Sequence, residues 1–404
     1  MKKLIFGIAN TYKKVKNLKN KVLGKTEKDV INQQIVTGKA WEDFCDTLKT
    51  AGTSLLYGSA PLDPFQQAEG IRYLSRLTRA GLDAFIEHAD PQFPSFKRMV
   101  HETVKLGADN PDNHYSNAQV SGEYEYRIWG NRNSVFYMGF FTQNGSYGST
   151  GGLSPCGLIE DSHIEFEADG SFEIFVTKEN TPSKFGTGKR KNWLKIEAET
   201  TLLMLRQTFM DTKNEVAAEV HIECLGGSEK PLPLSPELVY NGLNMAGTFV
   251  AGASFLFSKW ATGFTKHPNQ LPLFSPEVSN AAGGDNNIWY YHSYWKLADD
   301  EALYIHFTPP KCKYWNFQLN NYWMESLDYR HFNIHINMHT AHVEPDGSVQ
   351  LFVAHQKPAH SNWIDTVHHN EGTMLLRWAY ADSNPQPNIE VIKFSDISKI
   401  TNQK

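Results

Sequence analysis

Residues 169–176 read Asp-Gly-Ser-Phe-Glu-Ile-Phe-Val, and residues 346–353 read Asp-Gly-Ser-Val-Gln-Leu-Phe-Val. An Asn-Trp pair follows each, at Asn192-Trp193 and Asn362-Trp363, and then an arginine, Arg206 and Arg377, five residues ahead of Asp211 and Asp382. The same order of turn, strand and polar landmarks, met twice, constrains the fold more than any single stretch does. It implies one duplicated strand-rich unit, over about 123–225 and 290–394. Two copies pair with each other, because a solenoid needs three or more.

The segments EYEYRIWG, SVFYMGFF, HIEFEA, SFEIFVTK, TTLLMLRQTFM and AAEVHIECL, from Glu123 onward, are short, rich in β-branched and aromatic residues, and separated by turn residues. Ala168-Asp169-Gly170-Ser171 reads as a hairpin turn. Tyr126-Arg127-Ile128 ahead of SVFYM has a looser echo in Tyr294-Trp295-Lys296-Leu297 ahead of ALYI. The predicted fold is mainly β with added helices, built from internally duplicated β-sandwich or jelly-roll-like units. The predicted division is a basic amphipathic arm over 1–30, a helical N-terminal region over 31–122, a first β-rich repeat over 123–234, an inter-repeat helix and linker over 235–289, and a second β-rich repeat over 290–404. A chain of 404 residues can bury two cores of this kind.

Three helices are signalled. Ile5, Ile8, Tyr12, Val15, Leu18 and Val22 recur at three- and four-residue steps with lysines opposite, so residues 3–23 form a basic amphipathic helix. Such an arm either packs or frays on its own domain or, through residues 1–28, makes a weak contact with an anionic membrane surface. Asp63 caps a second helix and Pro64 opens it, with Ile71, Leu74, Leu77, Leu82, Phe85 and Ile86 as its apolar stripe and an end near 88–91. It reads as a core cover without chemistry. Ser235 and Pro236 open the third. Its twenty uncharged residues from Val239 to Ser258 reach bilayer length, but Tyr240, Asn241, Asn244, Thr248 and Ser254 dilute it, which favours a buried inter-repeat helix.

Net charge is −5, yet nine lysines stand against Glu27 alone in the first 28 residues, which leaves −13 for the rest. An acidic body excludes a nucleic-acid partner. Cys45, Cys156, Cys224 and Cys312 have no CxxC spacing and read as buried thiols of a reducing compartment, with two bridges as the alternative. Only about six apolar residues follow the basic start, too few for a secretory signal, so a cytoplasmic location is expected. No GxGxxG, Walker, G-x-S-x-G or HExxH motif occurs, so no cofactor is expected.

NPDNHY (110–115), YRIWG (126–130), YWNFQLNNYWMESLDYR (314–330), Asp346-Gly347-Ser348 and NWIDTVHHNEGTMLLRW (362–378) together resemble the mostly bacterial family catalogued as domain of unknown function 1214, over about residues 100–394. The resemblance implies a β-sandwich with helical additions and no established reaction. Val367-His368 departs from the family pattern, which has a small pair such as Ala-Gly there, so the shape of that loop is open.

Ten of the sixteen histidines fall at or after His292, which raises the question of a metal. His331, His335 and His339 alternate with apolar residues as on a strand, however, and strand positions four apart are about 13 Å apart, too far to share an ion at about 2.1 Å. No metal site is expected. Landmarks common to both copies read as scaffold, with Asn bracing a turn, Trp plugging the sandwich and Arg pairing with Asp. The residues peculiar to the second copy, Asp365, His368, His369 and Glu371, are the addition. The candidate catalytic set is His369 as general base on a loop, with Asp365 or Glu325 as its partner. The candidate ligand-binding set is Arg377, able to hold a carboxylate or sulfate, with His355, Asp328, Trp323 and Tyr322. Thirteen aromatics between Trp289 and Tyr329 line either a pocket or the core. Two functions follow: an enzyme of hydrolase or lyase type without a nucleotide cofactor, or a non-catalytic module that binds a glycan or a small ring compound.

Overall fold

The computed structural model describes residues 26–145, 153–181 and 190–401, so the arm helix expected at 3–23 lies outside the described residues. Strands β1 (Lys97–Val100), β2 (Asn113–Gln119), β4 (Tyr137–Gly145), β5 (Leu153–Glu160) and β8 (Thr200–Thr208) form one sheet in the order β1-β2-β8-β4-β5. Strands β3 (Glu125–Asn131), β6 (Ser171–Thr177), β7 (Trp193–Lys195) and β9 (Glu219–Leu225) form a second, β7-β6-β3-β9. Between them lies an apolar core that includes Ile128, Phe140, Ile174, Leu194 and Leu205.

The second half repeats this plan. Strands β10 (Ile288–Lys296), β12 (Tyr314–Asn320), β13 (His335–Asn337) and β16 (Glu371–Ala379) stand in the order β10-β16-β12-β13. Strands β11 (Glu301–Phe307), β14 (Val349–Ala354), β15 (Trp363–Asp365) and β17 (Asn388–Lys393) stand in the order β15-β14-β11-β17. Strand by strand this is the order of β2 to β9, down to the one parallel pair in each half. In that pair Phe175 faces Trp193 in the first half, and Phe352 faces Trp363 in the second. The fold is therefore mainly β, with duplicated sandwich units and added helices.

The landmarks work as scaffold for physical reasons. Gly170 and Gly347 sit at φ 81° and 83°, the left-handed conformation a tight turn after aspartate needs. The Asn192 amide donates to the carbonyls of Glu165 and Glu173, both at 3.0 Å, and accepts from Glu165 N at 2.8 Å. Asn362 does the same with the carbonyls of His342 and Gln350, at 2.7 and 2.9 Å, and with His342 N at 2.7 Å. One buried side chain thus ties the start of a short strand to its neighbouring strand and to a preceding loop in each half.

Helices α1 (Glu27–Val36), α2 (Lys39–Gly52) and α3 (Pro64–Leu82) precede the sandwiches, and α4 (Pro236–Phe264) links them. Asp63 and Ser235 cap α3 and α4 by accepting from Gln66 N and Leu238 N. A short α5 (Pro276–Asn280) follows α4, and α6 (Ile397–Thr401) ends the described chain. Phe249, Val250, Ala253, Phe257 and Ala261 of α4 pack with Leu77 of α3 and with Tyr294, Trp323 and Leu375 of the second repeat. Among the described residues no helix is long and apolar enough to cross a membrane.

Several local expectations need correction. The buried face of α3 is Gln66, Glu69, Gly70, Tyr73, Leu77, Ala80 and Gly81, and of the expected stripe Ile71 alone is outward, 62% exposed; Gly81 lets α4 approach and Gly70 lets Trp323 approach. Tyr294 lies on β10, the counterpart of β2 and not of Tyr126's β3, so the echo between those tyrosines is accidental and the paired strands start at Asn113. Only 335–337 of the predicted 331–339 strand is β, as turns hold His331 and His339. All four cysteines are free thiols, with Cys45 exposed and the others half-buried.

Candidate functional site

Side chains alternate across a strand, so each sandwich sheet that buries one face has a second face to account for. On β12, Trp315, Phe317 and Leu319 enter the core. Tyr314, Asn316, Gln318 and Asn320 point the other way, yet every one of them is buried. What covers them is the segment 101–112 and the first repeat. Between the outer faces of β2-β8-β4 and β10-β16-β12, closed on one side by α4, lies a cavity of about 250 Å³. Its apolar wall includes Met204, Met245, Phe249, Phe257, Trp260 and Leu375, and its polar wall includes Asn113, Tyr137, Arg206, Tyr290, His292 and Arg377.

The two arginines of the repeat meet here. Arg206 lies opposite Tyr115 and Gly139 on its neighbouring strands, and Arg377 lies opposite Tyr290 and Asn316 on the equivalent strands. Neither pairs with the aspartate five residues on. Asp211 instead caps its own turn through Lys213 N and Asn214, and Asp382 accepts from Ser383. Arg206 donates to Asp285, a buried ion pair, and the carboxylate outweighs burial to hold the guanidinium well above its ordinary pKa. Arg377, 5% exposed, donates to neutral oxygens only: Asn316 Oδ1 at 3.1 Å, Gln318 Oε1 at 2.5 Å and the Ala108 carbonyl.

That loop is itself held in a costly conformation. Ala108 and Met324 sit at φ 58° and 59°, joined by a hydrogen bond from Ala108 N to Met324 O of 2.7 Å. Asn110 donates to Tyr314 at 3.0 Å and accepts from Asn316 at 2.9 Å, while Asp112 accepts from Tyr314 at 2.5 Å and faces His335 Nε2 at 3.0 Å. The segments NPDNHY and YWNFQLN, far apart in the chain, are thus one hydrogen-bonded layer under Arg377.

The family model for a protein of unknown function, DUF1214, matches residues 296–382. The solved structure of an uncharacterized protein from Burkholderia cenocepacia is 44% identical, with a TM-score of 0.86 over 90% of this chain and 99% of that one. The chain belongs to the DUF1214 family. The VPA0106 protein from Vibrio parahaemolyticus is 11% identical, with a TM-score of 0.47 over 80% of this chain and 98% of that one. A search of curated proteins finds no match.

In this DUF1214 chain, the residues singled out from sequence scatter. His369 is 2% exposed and does not line the cavity. Its Nε2 faces Glu69 of α3 at 2.6 Å, and its Nδ1 donates to the Val367 carbonyl at 2.8 Å. Both ring nitrogens thus face oxygens of the chain itself, and neither faces the cavity. The expected partners stand elsewhere. Asp365 accepts from Val367 N at 2.8 Å. Glu325, whose pKa burial raises despite Arg76, pairs with Arg76 at 2.6 Å and with Asn321 at 2.8 Å. Asp328 chelates Arg330, whose hydrogen bonds bring its pKa down to about 2. Trp323 packs on Gly70, where a Cβ would stand 2.6 Å from its ring, and Tyr322 bonds Thr262 at 2.9 Å; both belong to the core under α4. His355 bonds Thr366 at 2.8 Å, beside a separate surface groove. Of the eight, only Arg377 reaches the cavity.

Residues not singled out complete the walls. His292 sits among Phe264, Phe274, Trp260 and Tyr290, with ring centroids 5.1–6.0 Å away. Burial, with Arg377 nearby, pushes its pKa down to about 3, and its Nδ1 has no hydrogen-bond partner. Tyr137, pushed up to about 12 by burial, and Tyr380, also raised by burial, both donate to Glu160. Among the described residues no three His, Cys, Asp or Glu side chains gather as metal ligands. The legible signal was YWNFQLN itself, in which amides alternate with core residues on a strand too apolar to be at an edge.

Proposed function

We propose that this protein binds a small ring compound in the cleft between its two repeats, without transforming it. The observation that carries this reading is the cleft itself: a partly open cavity whose exposed surface is mostly aromatic and aliphatic, with polar groups of both repeats converging on it. Size favours a ring compound over a glycan. An apolar cavity of about 150 Å³ takes benzene, so this one has room for one or two rings. An oligosaccharide would also bury hydroxyls against Met204, Phe249 and Phe257, which offer no hydrogen bonds.

The titrating groups favour binding over acid–base turnover. A general base works best with a pKa near the working pH. His292 is far too weak a base, and Tyr137 keeps its proton at neutral pH and serves as a donor. The test is thermal denaturation of the full chain with millimolar one- and two-ring compounds or with oligosaccharides. Ring compounds raise Tm, oligosaccharides do not, and Met204→Trp, which fills the cavity from β8, abolishes the rise. A rise that survives Met204→Trp, or one given only by oligosaccharides, refutes the reading.

A further inference from the structure

We infer that the compound held in the cleft carries a carboxylate and that Arg377 receives it, an inference that rests on the binding reading above. The duplication supplies an internal comparison. Arg206 and Arg377 occupy the same position of equivalent strands, and both are buried on the cavity wall. The first is neutralised by Asp285 from within the chain. For the second, no carboxylate among the described residues forms an ion pair. Asp109, which lies within the field of Arg377 and also lines the cavity, spends its hydrogen bonds on Ser326, accepting from its N and Oγ at 3.0 and 2.8 Å. A buried guanidinium left with neutral acceptors has most to gain from an anion.

The number of free donors narrows the anion. A guanidinium has five N–H groups, and three are used by Asn316, Gln318 and Ala108. Two remain, enough for the two oxygens of a carboxylate. Arg377 has no donor left for the further oxygens of a sulfate or phosphate, and Leu375, two residues along the same face of β16, offers none. His292 Nδ1, buried and unpartnered on the same wall, gives a second point of polar contact beyond the ring.

The experiment is calorimetric titration of the unmutated full chain with benzoate and 2-naphthoate, with their neutral isosteres benzamide and 2-naphthamide, and with inorganic sulfate. The acids bind, the amides bind about ten- to hundredfold more weakly, and sulfate does not compete. Arg377→Gln, which removes the charge and keeps a polar side chain, removes the preference for acid over amide. Should that variant fail to fold, the comparison on the unmutated chain decides. Amides that match the acids, sulfate that competes with them, or a preference that persists in a folded Arg377→Gln protein overturns the inference while the cleft reading stands. If neither acids nor amides bind, the cleft reading falls and takes the carboxylate with it.

Discussion

Replacing His369 with alanine removes one of the two partners of a buried carboxylate. The imidazole is 2% exposed and the Glu69 side chain 11%, with 2.6 Å between them. Deleting one member of a buried pair costs about 3–5 kcal/mol when the other is left unpaired; Arg72 still holds Glu69 Oε1 at 2.8 Å, so about 2–3 kcal/mol is expected. Glu69→Gln keeps shape and an acceptor and should cost about 1–2 kcal/mol. The double variant leaves no carboxylate oxygen facing the vacated imidazole site, so it should lose less than the two singles together, by about 1 kcal/mol. The pH dependence follows from Glu69. Burial alone would raise its pKa, but the hydrogen bond from His369, the field of that ring and Arg72 bring it below the ordinary value of 4.5. A carboxylate lowered in this way contributes stability above its unfolded pKa and loses it as pH falls through the folded value. The deficit of His369→Ala should therefore be full at pH 7 and shrink on acidification below about 4.5. Urea denaturation at pH 7 and pH 4 measures both. A loss under about 1 kcal/mol at pH 7, as for an exposed loop residue, would refute the pairing, and so would a deficit that grows in acid.

Asn192→Ala and Asn362→Ala should each cost about 3 kcal/mol in the same assay, since each leaves two carbonyls and one N–H unanswered, and the two losses should agree within about 1 kcal/mol. His368, exposed at φ 62°, should be replaceable by glycine with a gain of about 0.5–1 kcal/mol, read as a rise in Tm.

What could be read from sequence was what neighbours decide. The caps Asp63 and Ser235 act on backbone three residues on, and the Asp-Gly-Ser turns close within four, so both were legible. The duplication was legible because Asn192 and Asn362 perform the same task. Pairings across the chain were not. Glu69 is 300 residues from His369, and Asp285 is 79 from Arg206, and nothing near either arginine says that one has an acid and the other has none. Val367 and His368, where the family pattern has small residues, adopt the left-handed backbone, at φ 50° and 62°, a local cost that the residue types do not announce. Of the expected α3 stripe, Leu74, Leu77, Leu82, Phe85 and Ile86 do pack and Ile71 does not, while the close approaches at Gly70, to Trp323, and at Gly81, to α4, are ones an apolar count ignores.

Two units with one strand order pose a problem during synthesis. A strand of the second half finds its own slot and a look-alike slot in the first, so exchanged strands are a competing product whenever both halves are unfolded together. Emergence from the ribosome avoids the competition, since β2 to β9 can close before β10 exists, and the 29 residues of α4 must pass between them. Dilution from denaturant offers no such order. The mismatched polar layers oppose the exchange: in a swapped unit Arg206 would lie opposite Asn316, and Arg377 opposite Gly139, which has no amide side chain to offer. Refolding yield, rather than equilibrium stability, is the property in which the cost of the duplication should be found.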